Sequence, residues 1–246
     1  GCPGPSDNSI GTCYAGVLRN DYDGYGHYRQ EQTEGNFPGS NSRLTYTLYN
    51  PSNPAPWLLS KWILNTYTKR SVTEGQTQEE RTCFDPNTGL LLRRRVLSSL
   101  SGALGSKDVV TVFSYDANGN LATEAVYGGD TQAQISTDPY VSLCDMSLPA
   151  VPVYKRVYQN QYGVRIREAL VDPSTNGELL VSLDLTVDPS TGLSAASRDS
   201  SGMETQYLYD ALGRLTWVKP QPGPGGSPGG GGWTQVEYAP ATATTL

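Results

Sequence analysis

The chain has 246 residues and a net charge of −6, with 27 Gly, 17 Pro and 16 Tyr against only 3 Phe and 2 Met. That charge leaves no basic footprint for nucleic acid, and no apolar run approaches the length of a membrane span. The length allows one large β-domain or two ordinary ones with a sizeable core, and Tyr-rich, Met-poor usage suits half-wet strand faces.

In chain order, residues 1–40 read as an irregular segment, loop-like at both ends, with one turn element at 22–28. Residues 43–49 alternate and predict a strand, and three prolines break it across 50–56. Residues 57–72 are mixed. Leu58, Leu59, Trp62 and Ile63 have helical spacing, whereas Tyr67, Thr68 and Val72 favour a strand. We read this stretch as strand, with a short helical turn near Leu59. Strand pairs follow at 77–84 with 90–97, at 109–115 with 121–127 and at 153–158 with 164–171. Residues 128–152, rich in Asp, Ser and Pro, read as a surface excursion, which Cys144 could pin. Further strands are expected at 179–187, 193–198 and 204–209, then from Leu215 onward. Residues 220–232 are a Gly/Pro-rich loop or linker, and 233–246 carry a terminal strand and tail. The repetitive array itself spans 41–219.

One turn grammar punctuates these strands. Tyr209-Asp210-Ala211-Leu212-Gly213-Arg214-Leu215 is the clearest copy, and Tyr115-Asp116-Ala117-Asn118-Gly119-Asn120-Leu121 matches it at Tyr, Asp, Ala, Gly and Leu. Tyr22, Asp23 and Gly26 repeat it with Tyr28 in place of Leu. Asp hydrogen-bonds backbone two residues on, and Gly accepts a positive φ without a Cβ penalty. A variant with one more turn residue occurs at Asp85-Pro86-Asn87-Thr88-Gly89 and Asp188-Pro189-Ser190-Thr191-Gly192. Asp172 to Gly177 reads as a longer one, with Gly again in the left-handed position. Asp188, Asp199 and Asp210 are spaced by 11 residues, which is two short strands and two turns per 22. Each hairpin cannot hide its apolar face alone, so stacked neighbours must make the core.

This pattern resembles the YD repeat of the RHS/YD-repeat family, most clearly over residues 80–130 and 155–220. The resemblance implies an all-β fold: an antiparallel β-hairpin array whose curved or spiralling sheet forms part of a shell, with Tyr-rich rungs aligned across strands. It implies structural roles for Tyr22, Asp23, Gly26, Tyr115, Asp116, Gly119, Leu121, Tyr209, Asp210, Gly213 and Leu215. Such shells enclose a toxin domain in bacteria or serve adhesion in teneurin-like surface proteins. The expected partners are therefore the rest of a larger shell or its enclosed domain, in a secreted or cell-surface setting. No cofactor is expected. A carbohydrate- or protein-binding adhesion module is the alternative, and a β-scaffold hydrolase a more distant one. Starting at Gly1 without Met and ending abruptly, the chain reads as a fragment or processed piece. In an exported protein the simplest cysteine pairing is Cys2–Cys13 with Cys83–Cys144, although four cysteines permit three connectivities and free thiols are the other reading. Some family members cut themselves at an Asp-Pro-x-Gly-Leu segment. Asp85-Pro86 and Asp188-Pro189 carry an extra residue before Gly-Leu and are read as turns.

Residue types that could carry chemistry have ordinary explanations. His27 is the only histidine, and it sits inside a turn element. There is no C-x-x-C, which argues against zinc. The turn aspartates could supply a carboxylate pair for glycoside hydrolysis, but backbone capping accounts for them. Arg93-Arg94-Arg95 reads as a solvated face pairing with Glu79 and Glu80. Gly229 to Gly232 lacks the context of a phosphate loop. Trp57, Trp62 and Tyr67 read as packing, with a sugar-stacking platform as the alternative. The chain is not expected to be an enzyme.

Overall fold

The computed structural model describes residues 15–35, 42–49, 63–130, 134–221 and 232–238. Cys2, Cys13, Trp57, Trp62, the helical turn near Leu59 and Gly229 to Gly231 lie outside the described residues. Among those described there is no helix. The fold is all-β.

Fifteen strands follow one another: β1 (Ala15–Tyr22), β2 (Tyr28–Gly35), β3 (Arg43–Tyr49), β4 (Tyr67–Glu74), β5 (Gln76–Phe84), β6 (Leu91–Val96), β7 (Val109–Tyr115), β8 (Leu121–Gly128), β9 (Tyr154–Gln161), β10 (Val164–Val171), β11 (Glu178–Val187), β12 (Ser194–Arg198), β13 (Glu204–Tyr209), β14 (Leu215–Pro220) and β15 (Thr234–Gln235). Their order in the sheet is their order in the chain. Antiparallel neighbours joined by short turns need no crossover, which is the topology a meander predicts. The mixed 57–72 stretch resolves late, because β4 begins only at Tyr67. A hairpin not anticipated from the sequence joins β4 to β5. Glu74 pairs with Gln76, and Gly75 between them takes φ 74°.

The chain divides into two compact units: residues 1–114 with 125–153, and residues 115–124 with 154–246. In the first unit, aromatic rings succeed one another across strands. His27 stacks on Tyr49 at 4.3 Å, Tyr49 meets Tyr67 edge-on at 6.1 Å, and Tyr67 meets Phe84 at 5.8 Å. Edge-to-face contacts at these separations are favourable for aromatic quadrupoles.

The core of this unit corrects the reading of residues 128–152 as a surface excursion. Ile135 and Met146 are buried with Val110 of β7, and Val112, Tyr127, Leu143 and Leu148 pack against them. The excursion is therefore a cover on the sheet. Cys83 of β5 and Cys144 of the cover form a disulfide with Cα atoms 5.4 Å apart. Closing a loop of 61 residues stabilises by about 4 kcal/mol on loop-closure entropy.

The arginine run is a second correction. Arg95 is buried and donates to Asp108 Oδ2 at 2.7 Å. Arg93 donates to the carbonyls of Leu143 and Met146 at 3.1 and 2.6 Å. These partners replace the expected glutamates of β5. Glu79 binds Lys69 and Arg81 instead, and Glu80 accepts from the Tyr67 hydroxyl. Strand alternation puts Arg93 and Arg95 on one face, and the cover makes that face interior.

In the second unit the most buried residues are Tyr158, Ala169, Val171 and Val187, on β9, β10 and β11. The Tyr158 hydroxyl donates to Glu124 at 2.9 Å, and the Arg165 guanidinium lies 4.2 Å from the Tyr158 ring centroid. Farther along, Lys219 sits between the rings of Trp217 and Trp233, at 5.1 and 5.0 Å.

Candidate functional site

The repeated turns are the feature that most residues of interest share. Four have a short form. In each, Asp Oδ1 accepts from the backbone N–H two and four residues on: Tyr25 and His27 for Asp23, Asn118 and Asn120 for Asp116, Ser201 and Met203 for Asp199, Leu212 and Arg214 for Asp210. The same Asp N–H donates to the carbonyl four residues later, at 2.9–3.0 Å. Gly26, Gly119, Gly202 and Gly213 occupy the third position after Asp, all at positive φ.

The longer form has one more residue. Here Oδ1 accepts from the N–H two and three residues on, at Asn87 and Thr88, Ser174 and Thr175, and Ser190 and Thr191. Gly89 and Gly192 hold the positive-φ position. The Asp172 turn departs from expectation. It has the same length as the other two, and Asn176, not Gly177, takes φ 60°. Asn tolerates the left-handed region better than other side chains with a Cβ. Its amide oxygen also accepts from Lys155 Nζ at 2.7 Å.

These contacts explain the acid–base state of the turn aspartates. The Asn120 side-chain amide, followed by backbone N–H groups, lowers Asp116. The backbone and then the guanidinium of Arg214 lower Asp210. The hydroxyls of Ser174 and Ser190 lead in lowering Asp172 and Asp188. A carboxylate accepting several donors favours its ionised form. Each of these aspartates is thus committed to its own turn.

The tyrosines preceding Asp anchor the strand ends. Tyr22 pairs across its hairpin with Tyr28, ring centroids 5.2 Å apart. Tyr209 pairs with Leu215, and its hydroxyl donates to the Ser194 carbonyl at 3.0 Å. Burial raises Tyr115 above its ordinary value. Leu121 opens β8, and its carbonyl accepts from the Asn160 amide at 2.9 Å.

His27 lies within the first turn. Its Nδ1 is 2.8 Å from Asp23 Oδ2 and its Nε2 2.9 Å from Asn65 Oδ1. Both nitrogens are engaged, and the ring is stacked on Tyr49, so it is placed as a strut. Tyr67 is wedged between Tyr49 and Phe84, with its hydroxyl on Glu80. Desolvation, then the Glu80 hydrogen bond, pushes it up to about 12. No group of three or more acidic, His or Cys side chains able to hold a metal occurs among the described residues.

Sequence reasoning missed Asp108. It is fully buried and accepts from the backbone of Ser98 and Gly105, the Ser98 hydroxyl and Arg95. An acidic residue just before an apolar strand carries no local sign that a distant arginine will meet it.

No family model and no curated protein matches the chain. Among solved structures, the chain is similar to the crystal structure of TcdB2-TccC3, with 15% identity and TM-score 0.41, over 85% of this chain and 10% of that one. It is also similar to that of TcdB2-TccC3-Cdc42, with 15% identity and TM-score 0.31, over 84% of this chain and 12% of that one. The chain thus spans about a tenth of each. Likeness at this level carries no functional argument, which must come from the turns and their geometry.

Proposed function

We propose that this segment is a length of wall in a larger hairpin-repeat shell, and not a catalyst. The observation that supports it is the recurrence of Asp-capped turns, short at Asp23, Asp116, Asp199 and Asp210 and one residue longer at Asp85, Asp172 and Asp188, joining strands that pair in chain order. Such a design extends by adding hairpins, with each new strand satisfying the hydrogen bonds of the last. The aspartates and His27 that could have served chemistry are engaged in holding turns. A disulfide under the cover fits an oxidising compartment, which favours a secreted or surface-displayed parent. An enclosed cargo or an adhesion role is the function of the whole assembly on this reading. Cryo-electron microscopy of the full-length protein tests it. The segment should form part of a continuous wall, flanked on both sides by further strands. A segment standing alone as an appended domain would overturn the proposal.

A further inference from the structure

A groove of about 290 Å³ lies on the polar face of β2, β3 and β4 in the first unit. Arg43, Thr45 and Thr47 alternate onto that face of β3, and Arg70 of β4 pairs opposite Thr47. We propose that this groove binds a carboxylate-bearing saccharide. The proposal stands independently of the shell reading.

Two observations point to a ligand. First, the acidic groups beside the groove already have partners. Glu31 pairs with Arg19 at 3.1 Å, Glu79 with Lys69 and Arg81, and Glu80 accepts from Tyr67. Arg29 is held by Asp21 at 3.2 Å. Arg43 and Arg70 form no ion pair among the described residues, with Arg70 opposite Glu80 across β4 and β5. The same two arginines also line a second hollow of about 360 Å³. Second, Thr47 is only 6% exposed, lines the groove, and makes no side-chain hydrogen bond among the described residues. Buried polar groups are nearly always paired, so an unpaired hydroxyl calls for a partner.

The chemistry selects the ligand class. A guanidinium fork matches a carboxylate in two parallel hydrogen bonds. Threonine hydroxyls donate and accept, as sugar hydroxyls do, so Thr45 and Thr47 complement a ring carrying several of them. An acidic peptide would satisfy the arginines but has less use for two hydroxyl partners.

The test is calorimetric titration of the chain with a hyaluronan tetrasaccharide, with neutral chitotetraose and with tetraglutamate. The acidic saccharide should bind at least about tenfold more tightly than either other probe. Arg43→Gln and Arg70→Gln should each weaken it by about tenfold, and Thr47→Val by about threefold, as expected for loss of charged and neutral hydrogen bonds. Arg198→Gln, in the other unit, should leave it unchanged. Circular dichroism checks that each variant is folded. No binding of the acidic saccharide, equal binding of chitotetraose, tighter binding of tetraglutamate, or an equal loss in Arg198→Gln would each overturn the proposal.

Discussion

Arg95 and Asp108 form an ion pair of 2.7 Å with side chains 4% and 0% exposed. The cost of taking two charges from water is offset only when the remaining donors and acceptors are satisfied. Here they are, because Asp108 receives Ser98 and Gly105 as well, and Arg95 also donates to the Gly105 carbonyl. Gly128 belongs to the same assembly. It sits at φ 85°, and a Cβ there would collide with the Asp108 carbonyl. Either Arg95→Met or Asp108→Leu alone should cost about 3–5 kcal/mol, because each strands a buried charge. The double variant should cost less than the sum of the two, although Ser98 and Gly105 still lose their acceptor. Urea unfolding of the three proteins checks it, and additive losses would contradict the pairing.

Acid should act through the same carboxylate. Burial pushes Asp108 up, but the N–H groups of Ser98 and Gly105, with Arg95, outweigh it and hold it below the ordinary value. A lowered folded value means the stabilisation is fully present above the unfolded aspartate value of about 4. It is lost as pH falls through the folded value. The stability gap between wild type and Asp108→Asn should therefore be constant from neutral pH to near 4 and shrink below that. A gap that widens on acidification would show the sign to be wrong.

The cover over the first unit should depend on its disulfide. Mass spectrometry of non-reduced peptides should find Cys83 linked to Cys144. Replacing both by serine should cost about 2–4 kcal/mol. Arg93, Arg95, Ile135 and Met146 still tie the cover to the sheet, so the unit should loosen locally before it unfolds. Limited proteolysis of the double variant should cut first within 134–152. An alkylatable Cys83 in native material prepared without reductant would refute the bridge.

The strands and turns were legible because their causes are local. An Asp that bonds the backbone two to four residues on, with a residue at positive φ after it, closes a hairpin whatever surrounds it. The cover was not legible, because its causes are distant. Polar residues 128–152 look like a surface connection until Ile135 and Met146 meet Val110. Arg93 and Arg95 look solvated until Leu143, Met146 and Asp108 arrive. The Asp172 turn was misread for a subtler reason. Gly177 draws the eye as the left-handed residue, while Asn176 holds that position. The groove of Arg43 and Arg70 needed the register of three strands, which no local signal in the sequence supplies.

The turn chemistry gives a graded prediction. Gly213 sits at φ 75° and Asn176 at φ 60°. Gly213→Ala should cost about 1–2 kcal/mol, the penalty for a Cβ in the left-handed region. Asn176→Gly should be close to neutral, whereas Asn176→Val should lose more than Gly213→Ala, since β-branching is worst there. Asp210→Ala should also destabilise, by losing the N–H bonds of Leu212 and Arg214. Within the same series, Tyr209 separates ring from hydroxyl. Its hydroxyl donates to Ser194, and it stands opposite Leu215. Tyr209→Phe should cost about 0.5–1.5 kcal/mol, the net worth of a neutral hydrogen bond. Tyr209→Ala should cost clearly more, because the ring's packing goes as well. Denaturant midpoints give the ranking. An Asn176→Val protein as stable as wild type would mean that turn is not held as described. Equal losses in the two Tyr209 variants would remove packing from the explanation.

Alkali should find the two most perturbed tyrosines. Desolvation, then the hydrogen bond to Glu124, pushes Tyr158 up to about 12, as desolvation and Glu80 do for Tyr67. A raised folded value means the neutral phenol is favoured by folding. The contribution is fully present below the unfolded tyrosine value of about 10 and is lost as pH rises through the folded value. Absorbance at the tyrosinate band should therefore show most tyrosines ionising near their ordinary value and a small set delayed toward 12. Tyr158→Phe should remove one of that set and flatten the loss of stability between about pH 10 and 12. Glu124→Gln should bring the Tyr158 step back toward its ordinary value, because it removes the charge that disfavours the phenolate. If Glu124→Gln left the delayed step in place, desolvation alone would account for it and the Glu124 contact would have no electrostatic role.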